Sequence, residues 1–315
     1  YMSWYLSGTV FALLAAGMNQ FIICQGFAKV GMKSVVLGAV CNIALDPVFI
    51  FVLDMGVKGA AIATVLSQMA SCIYVLVFLF GKMPLVRITF GGYRWNTMKQ
   101  VLLVGLSPFL IIASDSLLII VMNMIIRKFS NPADGDMLLT CNTIVQSFML
   151  LITMPLGGIT GGTQTIMGYN YGAGRPDRIR RAEKHVLLLG IAFTAVMFLI
   201  ANLLPQYFVR IFTQDPEYTS ITNWAIRVYT LCIIPLAVQY TVVDGFTGMG
   251  IAKVAVSLSM FRKLVYMVGM LALPAAAGAQ AIFYAEPISD IVAAVTSFST
   301  YLLLSGKILK DGRRF

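Results

Sequence analysis

Apolar residues run along this chain in long blocks rather than in stripes. Stretches able to cross a bilayer fall at about 4–28, 34–54, 59–80, 100–126, 137–166, 185–212, 220–247, 254–274 and 281–305. A spanning helix needs about 20 such residues, and in hydrocarbon its backbone must be hydrogen-bonded internally. The pattern predicts an all-α polytopic membrane protein with about nine transmembrane helices. The interruptions hold turn residues and charge, as in Asp54-Met-Gly-Val-Lys58 and Tyr171-Gly-Ala-Gly-Arg-Pro-Asp177. Composition agrees: the chain is 59% hydrophobic and 11% charged, with a mean hydropathy of +0.85. A soluble domain carries about 25% charged residues, so a soluble reading fails.

The net charge of +10 raises nucleic acid as a partner, but the placement of the charge argues against it. Sixteen basic residues lie in one set of alternate loops: Lys29/Lys33, Lys82 to Lys99, Arg175 to Lys184, Lys253, and Lys307 to Arg314. The opposite set holds Lys58, Arg127 and Lys128, together with Asp54, Asp134, Asp136, Asp215 and Glu217. Cytoplasmic loops retain the excess of Lys and Arg. The expectation is a multi-pass protein of the cytoplasmic membrane with its C-terminus inside and its N-terminus outside. The five cysteines are scattered singly and His185 is the only histidine, so no zinc site, disulfide framework or cofactor is expected.

Polar side chains inside the apolar blocks carry the candidate chemistry, because a charge at bilayer depth is costly and usually faces a cavity or a partner. Asn42 and Asp46 are four residues apart, on one face of a helix, and Thr64 follows in the next block. Pro47 removes a helical N–H and frees a carbonyl in the preceding turn, expected to be that of Asn42. Asp115 stands mid-block between Ser114 and Ser116. Asn142 and Gln146 form another i, i+4 pair, able to hydrogen-bond a ligand or Asp115, or else to make helix contact. Glu286 and Asp290 flank Pro287 on the last helix, where Arg262 and Lys263 of the preceding helix could neutralise them. Asp244 could pair with Lys253. Phe27, Tyr74, Phe148, Tyr229, Tyr240 and Tyr284 could line a pocket for a lipophilic cation, although ordinary interfacial packing explains most such rings.

Gly26-Phe27, Gly31 and Gly59-Ala60 recur as Gly245-Phe246, Gly250 and Gly278-Ala279, all 219 positions later. Each set spans a helix end, a short basic loop, a helix, an outside turn and another helix. The pattern suggests a repeat of six helices, complete in the later half. It predicts roughly 120 residues, about three helices, preceding Tyr1 in a two-lobe transporter.

The run Asn42-Ile-Ala-Leu-Asp-Pro-Val-Phe-Ile-Phe51, followed by Met55-Gly-Val-Lys-Gly-Ala-Ala-Ile-Ala-Thr-Val-Leu-Ser-Gln68, closely resembles the fifth and sixth helices of MATE (multidrug and toxic compound extrusion) transporters. Gly161-Gly-Thr-Gln-Thr-Ile-Met-Gly-Tyr-Asn-Tyr-Gly-Ala-Gly174, Gly245-Phe-Thr-Gly-Met-Gly250 and Glu286-Pro-Ile-Ser-Asp290 match the same family. The resemblance implies helices 4–12 of a 6+6 fold. Residues 1–81 would be the last three helices of the N-lobe, 82–98 a cytoplasmic linker, 99–306 a six-helix C-lobe and 307–315 a basic cytoplasmic tail. It further implies export of organic cations or drugs in exchange for H⁺ or Na⁺. Asp46, Asn42, Thr64 and Asp115 would be the coupling residues, with Na⁺ or H⁺ held at the first three. An acid on the tenth helix is missing near Val238 or Gln239. Asn142, Gln146, Gln239, Tyr240 and Glu286 are the candidate substrate contacts.

The expected protein is therefore a monomeric, cation-coupled antiporter without a cofactor, with small organic cations or drugs and the lipid bilayer as partners. A lipid-linked precursor flippase of the same superfamily is the alternative, and it would need cavity arginines for an anionic substrate. A membrane-embedded enzyme is disfavoured, because no Ser/His pair, His cluster or catalytic loop is present. The chain on its own, lacking the preceding helices, is expected not to transport.

Overall fold

The computed structural model describes residues 2–308; residues 309–315, with Lys310, Arg313 and Arg314 of the expected basic tail, lie outside the described residues. Among the described residues the fold is entirely helical. It divides into two compact units, residues 1–93 and 94–315.

The first unit holds α1 (Met2–Cys24), α2 (Ala28–Pro47), a π-helical turn (Val48–Val52) and α3 (Gly56–Phe80). Both α1 and α2 pack on α3. Small residues permit the close approach of α2 to α3, as is usual between helices in lipid. A Cβ on Gly38 would lie 2.3 Å from Ser71 Oγ, and that hydroxyl instead donates to Ser34 O at 2.9 Å. Ile22, Val75 and Leu79 fill the core, where Phe27 meets Phe78 edge-on at 5.3 Å. After α3 the chain runs without helix over residues 81–94. Gln25 at the end of α1 holds this segment. Its Oε1 accepts from Val86 N at 2.8 Å and its Nε2 donates to Val86 O at 3.2 Å.

The second unit comprises α4 (Trp95–Phe129), α5 (Pro132–Gly161), α6 (Gln164–Gly172), α7 (Pro176–Leu203), α8 (Pro205–Val209), α9 (Pro216–Tyr229), α10 (Ile233–Gly248), α11 (Ala252–Ala277), a 3₁₀ turn (Ala279–Tyr284) and α12 (Ala285–Ile308). Its core is built from Met122, Ile126, Phe148, Ile152, Ile226, Met270 and Phe283, with Phe148 edge-on to Phe208 at 5.2 Å.

Among the described residues, seven helical segments are long and apolar enough to span a membrane, and the bent pair α9/α10, taken as one span, makes an eighth. The ninth expected segment is α1, whose described apolar part, Gly8–Cys24, is shorter than a span. Several expected boundaries move. The block expected at 220–247 is two helices meeting at 49°. Pro235 lacks the N–H that would continue the ladder to Leu231, and the helix breaks there. The helix expected from 185 begins at Pro176, so Arg178 to Lys184 are helical rather than loop. Proline at the first helical position and Asp177 in the first turn supply the start signal. The same helix ends at Leu203, so Arg210 joins the opposite turns and the contrast of basic residues becomes sixteen to four.

The helix-ending turn of α1 recurs at the end of α10, and Ala173, Gly174 and Arg175 close α6 with the same three bonds, to Tyr169, Tyr171 and Asn170. At the end of α1, Gln25, Gly26 and Phe27 donate N–H groups to the carbonyls of Phe21, Ile23 and Ile22. At the end of α10, Met249, Gly250 and Ile251 donate to Gly245, Thr247 and Phe246. Each bond recurs 224 positions later, not 219. Gly26 and Gly250 have positive φ, +89° and +78°, as this helix-ending motif requires. The same shift takes Ala28, the start of α2, to Ala252, the start of α11. The glycine and Gly-Phe identities match positions five residues out of step with these bonds.

Candidate functional site

The second unit gathers five charged side chains, from α4, α11 and α12, around one cavity. Glu286 and Asp290 lie one turn apart on α12, and Arg262 of α11 reaches both. Its Nη2 is 2.5 Å from Glu286 Oε1 and its Nε 2.9 Å from Asp290 Oδ1. Asp290 is fully buried, so this forked pairing is what makes its charge tolerable. The adjacent Lys263 turns the other way, to α4. There Nζ pairs with Asp115 Oδ1 at 2.6 Å and also donates to the carbonyl of Ile111.

A chain of side chains joins α5 to this network. Gln146 Nε2 donates to the Tyr229 hydroxyl at 2.8 Å, and Tyr229 meets the Tyr266 hydroxyl at 3.1 Å. Tyr229 also points toward Glu286 Oε2 at 3.5 Å. The groups border a cavity of about 300 Å³. Asp115, Asn142, Gln146, Tyr240 and Glu286 all line it, whereas Gln239 does not. Asn142 is buried and its Oδ1 has no hydrogen-bond partner among the described residues. Asp115 and Glu286 line the cavity together with Arg262 and Lys263, two carboxylates to two cations, while the fully buried Asp290 pairs with Arg262 without lining it.

Several expectations need correction. Asp115 is not a lone acid, since Lys263 neutralises it, and Gln146 serves Tyr229 rather than Asp115. Asp244 does not pair with Lys253; it accepts from Thr160 Oγ1 at 2.5 Å and from Gln164 Nε2 at 2.9 Å, bracing α10 against α5 and α6. Of the aromatic candidates, only Tyr229 and Tyr240 line the cavity. Phe27, Phe148 and Tyr284 are spent on packing, the last against Trp224 at 6.0 Å.

In the first unit Asn42 Nδ2 donates to Asp46 Oδ1 at 3.2 Å, while Thr64 Oγ1 donates to Ala60 O of its own helix at 2.9 Å. All three are half-buried. Asn42 turns its amide N–H, not its carbonyl, toward the carboxylate, so the trio does not form an oxygen cage. The carbonyl that Pro47 leaves without its helical N–H belongs to Ile43, four residues before it, and not to Asn42.

Tyr266 and Glu183 were not singled out by the sequence. Glu183 is buried on α7 and accepts from the Tyr301 hydroxyl of α12. Glu183 gave no sequence signal, because it lies in the basic run before the apolar block expected from 185.

Comparison with known proteins decides the family. The MatE family profile matches residues 111–271, just over half of the chain. The chain belongs to the MatE family of transporters. The MatE chain is 21% identical over 308 residues to a protein named multidrug export protein MepA from Staphylococcus aureus (strain MSSA476), covering 96% of this chain and 66% of that protein. It is 25% identical over 256 residues to a probable multidrug resistance protein NorM from Thermotoga maritima, covering 79% of this chain and 54% of that one. The MatE chain thus spans just under two thirds of the length of these MepA relatives. Its fold matches a crystal structure of MATE in complex with MaL6 with a TM-score of 0.89 at 22% identity, over 98% of this chain and 70% of that one. A MOP superfamily transporter from Pyrococcus furiosus, described as having a binding pocket of reverse polarity, matches with a TM-score of 0.81 at 23% identity, over 92% and 64% of the two chains.

Proposed function

We propose that the protein is a cation-coupled antiporter of the cytoplasmic membrane that exports organic cations or drugs in exchange for H⁺ or Na⁺. The observation that carries this reading is the 300 Å³ cavity, where the exposed Asp115 carboxylate stands beside tyrosine rings and a free amide oxygen. A lipophilic cation competes with Lys263 for Asp115 and stacks on Tyr240. The names of the MepA and NorM relatives support drugs as the cargo. The coupling ion binds at Asp46, with Asn42 donating to the carboxylate, and Asp115 is the second coupling acid. Exchange follows if ion and substrate favour opposite conformational states. Residues 1–81 belong to one lobe and 99–306 to the other, with 82–98 and the C-terminus on the cytoplasmic side, as the basic loops require.

The test is efflux of a fluorescent organic cation from vesicles containing these residues within a complete two-lobe transporter, under separate H⁺ and Na⁺ gradients. Gradient-driven efflux, lost in Asp46→Asn and in Asp115→Asn, is expected. Efflux indifferent to both gradients or to both substitutions would overturn the reading. Arg262 and Lys263 on the cavity wall favour one second reading, transport of an anionic lipid-linked precursor. Transport of an anionic lipid analogue without cation efflux would establish it instead.

A further inference from the structure

A second cavity lies away from the charged network, between α7, α10 and α12. It has a volume of about 190 Å³ and a graded lining. Arg180, Lys184 and Leu187 fall at i, i+4 and i+7 on one face of α7, so the two cations and the leucine are stacked along about 10 Å of helix. Glu183 of α7 adjoins Gly245 near the end of α10 and Tyr301 near the end of α12. The cationic end of the slot therefore lies where α7 begins and the other two helices finish. Away from that end the lining becomes apolar, with Leu187, Val238 and Phe298.

The one acid in the slot is already committed. Glu183 is 7% exposed and bonded to the Tyr301 hydroxyl. Arg180 and Lys184 are exposed and belong to none of the ion pairs among the described residues. A pair of exposed cations at the polar end of an apolar groove, of which Arg180 acts on the single acid Glu183, leaves a net positive end with the polarity of an anionic amphiphile's site. Basic pockets between transmembrane helices take acidic lipid headgroups in this way. We propose that this slot binds one anionic glycerophospholipid, its phosphate between Arg180 and Lys184 and an acyl chain along Leu187, Val238 and Phe298. The site is separate from the transport cavity and does not depend on what is transported. Glu183, held by Tyr301, offsets only one of the two basic groups.

Phe298 is 48% exposed on the slot wall, which makes Phe298→Trp a local reporter. The purified 315-residue chain carrying this substitution is placed in phosphatidylcholine bilayers with a minor fraction of brominated phosphatidylglycerol, or of brominated phosphatidylcholine as the control. Fluorescence quenching is read above the background of the parent chain, which keeps Phe298. The expected result is a preference for the anionic lipid of about fivefold or more. Arg180→Gln/Lys184→Gln abolishes it, whereas Arg180→Lys/Lys184→Arg and Arg178→Gln/Arg181→Gln keep it. Equal quenching by the two lipids overturns the proposal. So does a preference that survives loss of Arg180 and Lys184, or one lost equally without Arg178 and Arg181. Displacement by inorganic phosphate alone would show an anion site with no role for the acyl groove, and would also overturn it.

Discussion

Lys263 Nζ lies 2.6 Å from Asp115 Oδ1, tying α11 to α4 at the wall of the charged cavity. The partners are unequally placed: the lysine side chain is 9% exposed and the aspartate 57%. A cation arriving in the cavity meets the acid first, while the lysine stays enclosed. Asp115→Asn removes the group a substrate cation would compete for and leaves Lys263 with the Ile111 carbonyl. Efflux of an organic cation by the complete two-lobe transporter should fall at least tenfold, with a stability loss of about 1–3 kcal/mol for the stranded cation. Asp115→Asn/Lys263→Met should recover most of the thermal stability but none of the efflux. Recovery of efflux in the double variant would mean that the pair is structural and that Asp115 does not handle the substrate.

Arg262 is shared by two acids, so its loss should be more severe. Arg262→Met strands Glu286 together with Asp290, which is fully buried. Breaking a buried pair by deleting one partner costs about 3–5 kcal/mol, and a large drop in thermal unfolding temperature in micelles is the expected reading. Neutralising the acids as well, in Arg262→Met/Glu286→Gln/Asp290→Asn, should return most of that loss. A triple variant no more stable than the single one would show that packing, not charge, is what Arg262 provides.

The local chemistry was legible in the sequence where it was local. Asn42 and Asp46 are one turn apart on a helix, and they meet at 3.2 Å. The helical membrane fold was legible from block length alone. What failed depended on tertiary choice. Two adjacent cations could serve any of three acids, and periodicity could not show that Arg262 goes to α12 while Lys263 goes to α4. The start of α7 was missed because hydropathy waits for apolar residues, whereas Pro176 starts the helix among arginines. Residue identity sets Gly26 against Gly245, whereas the helix-ending bonds set it against Gly250. Asp54 is the only non-glycine with positive φ among the described residues, +51°, and it stands 224 positions before Gly278.

That equivalence makes a prediction about two turns. Gly278 has φ +86° and ψ +170°, a region almost reserved for glycine. A Cβ there would touch nothing within 4 Å, so Gly278→Ala isolates the backbone cost. It should destabilise the protein by about 1–3 kcal/mol. Asp54→Gly should do the reverse, by up to about 1 kcal/mol, because aspartate tolerates the left-handed region imperfectly. Thermal unfolding of both variants in the same micelles checks the signs. Two shifts in the same direction would be incompatible with the shared turn.

The segment 81–94 should respond to a residue far from it in sequence. Gln25 holds Val86 by both of its backbone groups, and the segment otherwise exposes Leu85 at 84% and Phe90 at 83%. Phe90 also stacks on Phe80 at 6.2 Å and Ile88 packs against the Ile22, Val75 and Leu79 core, so Gln25 is the polar point of a tether with several. Gln25→Ala deletes the polar one with little effect on global stability, within about 0.5–1.5 kcal/mol. Local opening should rise instead, because a segment with few buried contacts unfolds independently. Lys82, Arg87 and Arg94 offer trypsin three sites within or beside it. Cleavage there should be several-fold faster in Gln25→Ala and faster again in Gln25→Ala/Phe90→Ala, while cutting elsewhere is unchanged. A rate equal to that of the parent protein would mean that Gln25 follows the segment rather than holding it.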